Sequence, residues 1–117
     1  MSAPPLTSME RVLTTLGFKE PDRVPLFLLV TMHGARELGL PIREYFSRAE
    51  HVVEGQLRMR ERYGNDCLCP FLYASLEHEA WGGETLFRED GPPNAGAPII
   101  RSAEDIPSLE PPRVGDA

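Results

Sequence analysis

Seven residues in unbroken succession, 24–30 (VPLFLLV), constrain this chain more than any other feature. An apolar run of this length, rich in Val, Leu and Phe and bounded by a Pro-Asp turn before it and Gly34 after it, reads as a strand buried on both faces. Such strands belong to parallel sheets covered by helices. In α/β sheets, open or closed, the chemistry sits just beyond the carboxyl ends of the strands. Thr31, Met32, His33 and Arg36 follow the run directly, so the first candidate site lies there.

Around this run the turn residues divide the chain into short elements. Thr7-Ser8-Met9-Glu10 is a capping box, and Met9, Val12, Leu13 and Leu16 follow at helical spacing up to Gly17. Beyond Gly34 the pattern predicts a helical turn over residues 35–38, stopped by Gly39, and a second over 42–46 opened by Pro41. Residues 48–63 form the clearest helix. Ser47-Arg48-Ala49-Glu50 reads as its capping box and Gly64-Asn65 as its stop. Its inner face is expected to hold Ala49, Val52, Val53, Gln56, Leu57 and Arg60, with Tyr63 at the edge. Glu54 and Arg58 are spaced as an outward ion pair. Gly55 inside the helix implies close packing against a neighbour.

Residues 66–72 (DCLCPFL) read as a second buried strand, with Pro70 near a bend. A short helix is expected over 75–81, ending at Gly82-Gly83. Residues 84–89 alternate as one arm of a hairpin, residues 90–98 are its Gly/Pro loop, and 99–101 its return arm. Ser102 to Asp105 resembles another helix start. The order helix, strand, helix, strand, hairpin argues an α/β or α+β chain. Residues 1–106 form one folded segment and 107–117 a Pro-rich extended tail.

Composition narrows the partners. With 12 basic against 18 acidic residues, a formal charge of −6 supplies no basic patch, which disfavours nucleic acid. There is no apolar run of membrane-spanning length and no signal-peptide pattern at the start, so a cytoplasmic protein is expected. Two cysteines, Cys67 and Cys69, are too close to form a disulfide framework. They share one strand face, which suggests a metal pair completed by His78. The spacing is not that of structural zinc sites, and buried cysteines acting as small hydrophobes are the commoner outcome, so no metal site is assigned. Glu77 and Glu79 fall on different helix faces and do not form an acid/base pair. Trp81 is read as packing and Asp66 as a backbone acceptor at a strand start. Phe71, Leu72 and Tyr73 follow the second strand and are placed to line the same mouth as residues 31–36.

Several phrases, in order, carry a resemblance: Met9-Glu10-Arg11-Val12-Leu13, Pro21-Asp22-Arg23-Val24-Pro25-Leu26, Glu44-Tyr45-Phe46, Arg62-Tyr63-Gly64-Asn65-Asp66, Glu79-Ala80-Trp81-Gly82-Gly83-Glu84 and Ser102-Ala103-Glu104-Asp105-Ile106. Together they resemble the N-terminal part of the uroporphyrinogen decarboxylase family. The resemblance implies the first part of a (β/α)8 TIM barrel, with lead helix, two buried parallel strands and a β-hairpin excursion. A whole barrel takes ~250 residues. It implies either decarboxylation of porphyrinogen acetate groups or corrinoid- and thiol-dependent methyl transfer. Zinc and a corrinoid partner belong to the second branch, whose zinc ligands lie in later strands, so no cofactor is expected in this segment. The decarboxylase proper carries Arg-Gln-Ala-Gly-Arg-Tyr after its first strand. Here the stretch is Met32-His33-Gly34-Ala35-Arg36-Glu37, which keeps at most one of the two arginines.

The substrate-binding residues expected are therefore His33, Arg36, Met32 and Tyr73, with no catalytic residue assigned. The segment is expected to be inactive alone and to meet its small-molecule substrate only in a complete barrel. A second reading is a non-enzymatic module that pairs through open sheet edges, as a homodimer or with a complementary chain.

Overall fold

Thr7 opens the first helix as its spacing requires. In a computed structural model describing residues 4–70, 72–89 and 91–113, helix α1 spans Ser8–Leu16. The Thr7 hydroxyl accepts from the Glu10 amide while the Glu10 carboxylate accepts from the Thr7 amide, so two of the helix's orphan donors are satisfied reciprocally. The helix stops at Gly17, and Phe18 adopts a left-handed φ of 55° while almost wholly exposed. The inward-facing residue of α1 is Arg11, not the apolar set. Met9, Leu13 and Leu16 all face outward.

Residues 24–30 are extended but form no strand, and they are not buried. Val24 is 83% and Leu29 72% exposed. Residues 66–70 likewise carry no ladder. The two segments meet at one backbone bond, from the Asp66 N–H to the Leu26 carbonyl at 2.8 Å. The Leu26 N–H is taken instead by the Asp66 carboxylate, also at 2.8 Å. The expected pair of buried parallel strands is thus reduced to two segments without regular structure, fastened among the described residues where Leu26 meets Asp66. A ladder needs successive reciprocal partners, and burial on both faces needs layers that no described residue provides. Phe71 lies outside the described residues.

Between these segments run α2 (His33–Leu38), α3 (Ile42–Phe46) and α4 (Ala49–Tyr63). Gly39 and Gly64 end α2 and α4 in left-handed conformation, where a side chain would be strained. The expected capping box at Ser47 does not form. Its hydroxyl donates to the Glu44 carbonyl at 2.8 Å and closes α3, while extended Arg48 opens α4 with no side-chain cap. The inner face of α4 is Val52, Gly55, Gln56 and Met59, rotated from the expected one, so Val53 and Leu57 face outward. Glu54 and Arg58 pair on the outer face at 2.5 Å, as the spacing requires.

The core is aromatic. Tyr45, fully buried, meets Phe46 edge-on at 5.0 Å between ring centroids; Phe46 meets Tyr73 at 5.4 Å, and Tyr73 meets Phe87 at 5.7 Å. The Arg43 guanidinium lies over the Phe87 ring at 4.3 Å. This chain of rings ties α3 to helix α5 (Leu76–Ala80) and to a hairpin of β1 (Thr85–Leu86) and β2 (Asn94–Ala95). The hairpin is antiparallel, pairing Thr85 with Ala95 and Leu86 with Asn94. Its return arm is therefore residues 94–95 rather than 99–101. Asn94 and Ala95 sit at the end of a shorter loop, so the pairing closes before Ile99 is reached. A 3-10 helix, Ala103–Ser108, follows and contains Pro107. The radius of gyration, 19.0 Å, exceeds the roughly 13 Å of a compact domain of this length.

Candidate functional site

Two polar constellations mark the opposite ends of residues 24–30. At the start, Arg11 reaches from α1 between two carboxylates. Its Nε donates to Asp22 Oδ1 at 2.7 Å and its Nη1 to Asp66 Oδ1 at 2.5 Å, while Nη2 donates to the Leu6 carbonyl at 2.6 Å. Arg23 adds donors to both oxygens of Asp66, at 2.7 and 3.0 Å, and the Ser8 hydroxyl a fourth side-chain contact. The hydrogen bond with Asp22 raises the Arg11 guanidinium above its ordinary range. The same contact, aided by the Leu6 amide, holds Asp22 down at about 2. Desolvation works to raise the Asp66 carboxyl, whose side chain has no exposure, but bonds from the Leu26 amide, Arg23, Ser8 and Arg11 outweigh it and hold it well below the carboxylate range. Asp66 is thus a backbone and guanidinium acceptor at the head of its segment. Its oxygens are saturated, so the cluster works as a clamp rather than as acid/base machinery.

At the far end, Met32, His33 and Arg36 come together. They line a cleft of roughly 680 Å³ with Leu29, Val30 and the hairpin residue Glu89. Helix α2 starts at His33, so His33 and Arg36 stand one turn apart beside the end of the extended segment. His33 Nε2 lies 3.0 Å from the Tyr63 hydroxyl and 3.2 Å from Glu37 Oε1. Tyr63 donates to the same Glu37 oxygen at 2.9 Å, and Arg62 holds the carboxylate at 2.9 and 3.1 Å. Arg62 and then Tyr63 lower the Glu37 carboxyl; the bond to Glu37, with burial, raises the Tyr63 phenol. Glu37 and Tyr63 were missed in the sequence reading. The His33-to-Glu37 spacing of four is their only local signal, since Tyr63 arrives from the far end of α4.

Tyr73 is not part of this group. It is buried among Phe46 and Phe87, its hydroxyl donates to Glu79 at 2.9 Å, and it borders a separate cleft with Leu72 and Leu76. Burial first, then the Glu79 carboxylate, pushes its phenol up to about 12. The idea of Cys67 and Cys69 as a metal pair with His78 finds no support. No group of three His, Cys, Asp or Glu side chains among the described residues is placed to hold a metal ion. Cys69 is buried, its amide donating to Gln56, and the His78 ring packs on Gly83. These residues do not fit a zinc site. No helix among the described residues is long and apolar enough to cross a membrane.

A mixed helical chain with a small hairpin, clamped at one end of an extended apolar segment and carrying a polar cleft at the other, is the class that the geometry defines. Residues 7–116 match the family described as Uroporphyrinogen decarboxylase (URO-D), and the chain belongs to that family. No curated protein and no solved structure matches it.

Proposed function

We propose that this chain supplies the opening strand and helix units of a uroporphyrinogen decarboxylase-like (β/α)8 barrel, and that the cleft at residues 32–36 is its share of the substrate site. The observation that carries the reading is the convergence of Met32, His33 and Arg36 in one cleft at the carboxyl end of residues 24–30, where barrel enzymes place their chemistry. The bond between Asp66 and Leu26 supports it, because it sets two extended segments side by side with α4 crossing between them.

Arg36 is the cation for a substrate carboxylate. An octacarboxylate needs several such cations, whereas this cleft offers Arg36 beside the carboxylate of Glu89. That balance favours a relative of the decarboxylase, of the kind that transfers methyl groups between corrinoid and thiol, over porphyrinogen decarboxylation itself. The outward-facing Val24 and Leu29 leave the wall of the site open, so the 117-residue chain is inactive by itself.

Two measurements test this. Titration of the purified chain with uroporphyrin and with a thiol carrying one acidic group should favour the second, and Arg36→Leu should weaken it about tenfold, the loss of one charge-assisted contact. Unchanged affinity in Arg36→Leu would remove the assigned site. Turnover of porphyrinogen by this chain without a second polypeptide would defeat the claim of incompleteness. The exposed edge of residues 24–30 also favours a second reading, a module that pairs with another chain. A strict monomer in sedimentation across a wide concentration range would count against that one.

A further inference from the structure

The contact of His33 with Tyr63 and Glu37 fixes where a proton sits. Glu37 carries a lowered pKa and is an acceptor only. The Tyr63 hydroxyl has one proton, and it is directed to Glu37 Oε1 at 2.9 Å. Tyr63 can therefore meet His33 only as an acceptor. The Nε2 of His33, 3.0 Å from the Tyr63 oxygen and 3.2 Å from Glu37, faces two acceptors and must bear a hydrogen. Among the described residues Nδ1 makes no hydrogen bond, and the ring lines the cleft with Met32 and Arg36.

We propose that Glu37 and Tyr63 are positioning residues that hold His33 with Nε2 protonated, so that the neutral ring offers Nδ1 to the cleft as an acceptor and base. The proposal rests on the reading of that cleft as the substrate site, and it adds a ligand class. The molecule bound carries an anionic group for Arg36 and, next to it, an N–H or O–H that donates to His33. Arg62 serves at one remove by keeping Glu37 ionised. The ring of Tyr63, tilted against His33 at 5.7 Å between centroids, limits rotation of the imidazole.

Nitrogen-15 NMR of the histidine-labelled 117-residue chain reads the tautomer directly, with His33 assigned from a His33→Gln variant. At a pH where the ring is neutral, His33 should be the Nε2–H form alone, without the exchange between tautomers that a free imidazole shows. Glu37→Leu releases the Tyr63 proton to turn toward Nε2, so the Nδ1–H form should rise at least severalfold. Tyr63→Phe keeps the ring and leaves the Glu37 carboxylate as the acceptor, so the Nε2–H form should persist. An Nδ1–H ring or freely exchanging ring in the unsubstituted chain would overturn the proposal. So would an unaltered tautomer in folded Glu37→Leu, or a ring that turns to the Nδ1–H form in Tyr63→Phe. A locked Nε2–H ring together with unchanged probe affinity in Arg36→Leu would leave this inference standing and sink the reading of the cleft.

Discussion

Gly34 and Gly55 touch backbone to backbone where α2 crosses α4. A β-carbon built on Gly55 would lie 2.9 Å from the Gly34 Cα and 2.8 Å from the Tyr45 ring, and one built on Gly34 would strike the Tyr45 hydroxyl. Tyr45 has no exposure and its hydroxyl is pointed at the Val52 carbonyl, so it has nowhere to retreat. This crossing sets the distance from α2, which carries His33 and Arg36, to Tyr63 at the end of α4.

Gly55→Ala should therefore destabilise the chain although alanine is the better helix former. The propensity gain is up to ~1 kcal/mol, while forcing a methyl into a packed crossing costs about 1–3 kcal/mol. The net expectation is a loss of about 1 kcal/mol, the mid-range of the difference, in urea unfolding. A stabilised Gly55→Ala would show that the helices do not meet there.

The carboxylate clamp predicts acid sensitivity. Asp22 is held at about 2 against an ordinary 3.8, and Asp66 is held lower still. Between these values the unfolded chain binds more protons than the folded one, so stability is complete above about pH 4 and falls as the pH drops toward 2. Acid titration by circular dichroism should show this loss, and Asp22→Asn should flatten it. Asp66→Asn should cost more than Asp22→Asn at neutral pH, because Asp66 is the fully buried carboxylate and pairs with both Arg11 and Arg23.

How far these features were legible depends on how local their causes are. The box of Thr7 and Glu10, the stop at Gly64, the pair Glu54–Arg58 and the tight seat of Gly55 depend on neighbours within a few residues or on the absence of a Cβ, and they read correctly. Ser47 failed because α4 opens one residue later, at Arg48, and the Ser47 hydroxyl donates to the Glu44 carbonyl at the end of α3. The face of α4 was rotated because Gly55 and Met59 mark the contact with Tyr45 and α2, which an apolar-stripe count passes over. Residues 24–30 failed for a different reason. Their composition is that of a covered strand, but a ladder is a relation between segments, and here the Asp66 side chain occupies the Leu26 amide. The cleft was half legible: Met32, His33 and Arg36 follow from their position after the run, whereas Glu37 and Tyr63 join through a contact spanning 26 residues.

At the other end of the pH scale, Tyr73 should oppose alkaline unfolding only up to its ordinary range. Its phenol is pushed from 10.0 up to about 12 by burial and then by Glu79. The unfolded chain loses that proton first, so stability should fall as the pH rises from 10 toward 12. Tyr73→Phe keeps the stack between Phe46 and Phe87, gives up one hydrogen bond worth about 1 kcal/mol, and should shrink this alkaline limb, leaving the part due to Tyr45 and Tyr63, whose phenols are also raised. An alkaline limb of the same size in the variant would assign it to another group.

Val24 and Leu29 offer a last check, on the central apolar run itself. Both side chains face solvent, so Val24→Lys and Leu29→Lys should each change the unfolding free energy of this chain by no more than about 0.5 kcal/mol, the range of exposed positions. They should also lower the binding of an apolar dye such as ANS, because they interrupt a contiguous hydrophobic surface with Leu26 and Phe27. A core residue of the same type costs about 1.5–3 kcal/mol when its burial is lost. A loss of that size in Val24→Lys would mean that the run is covered in solution, by a second copy if the loss shrinks on dilution and by the chain itself if it does not.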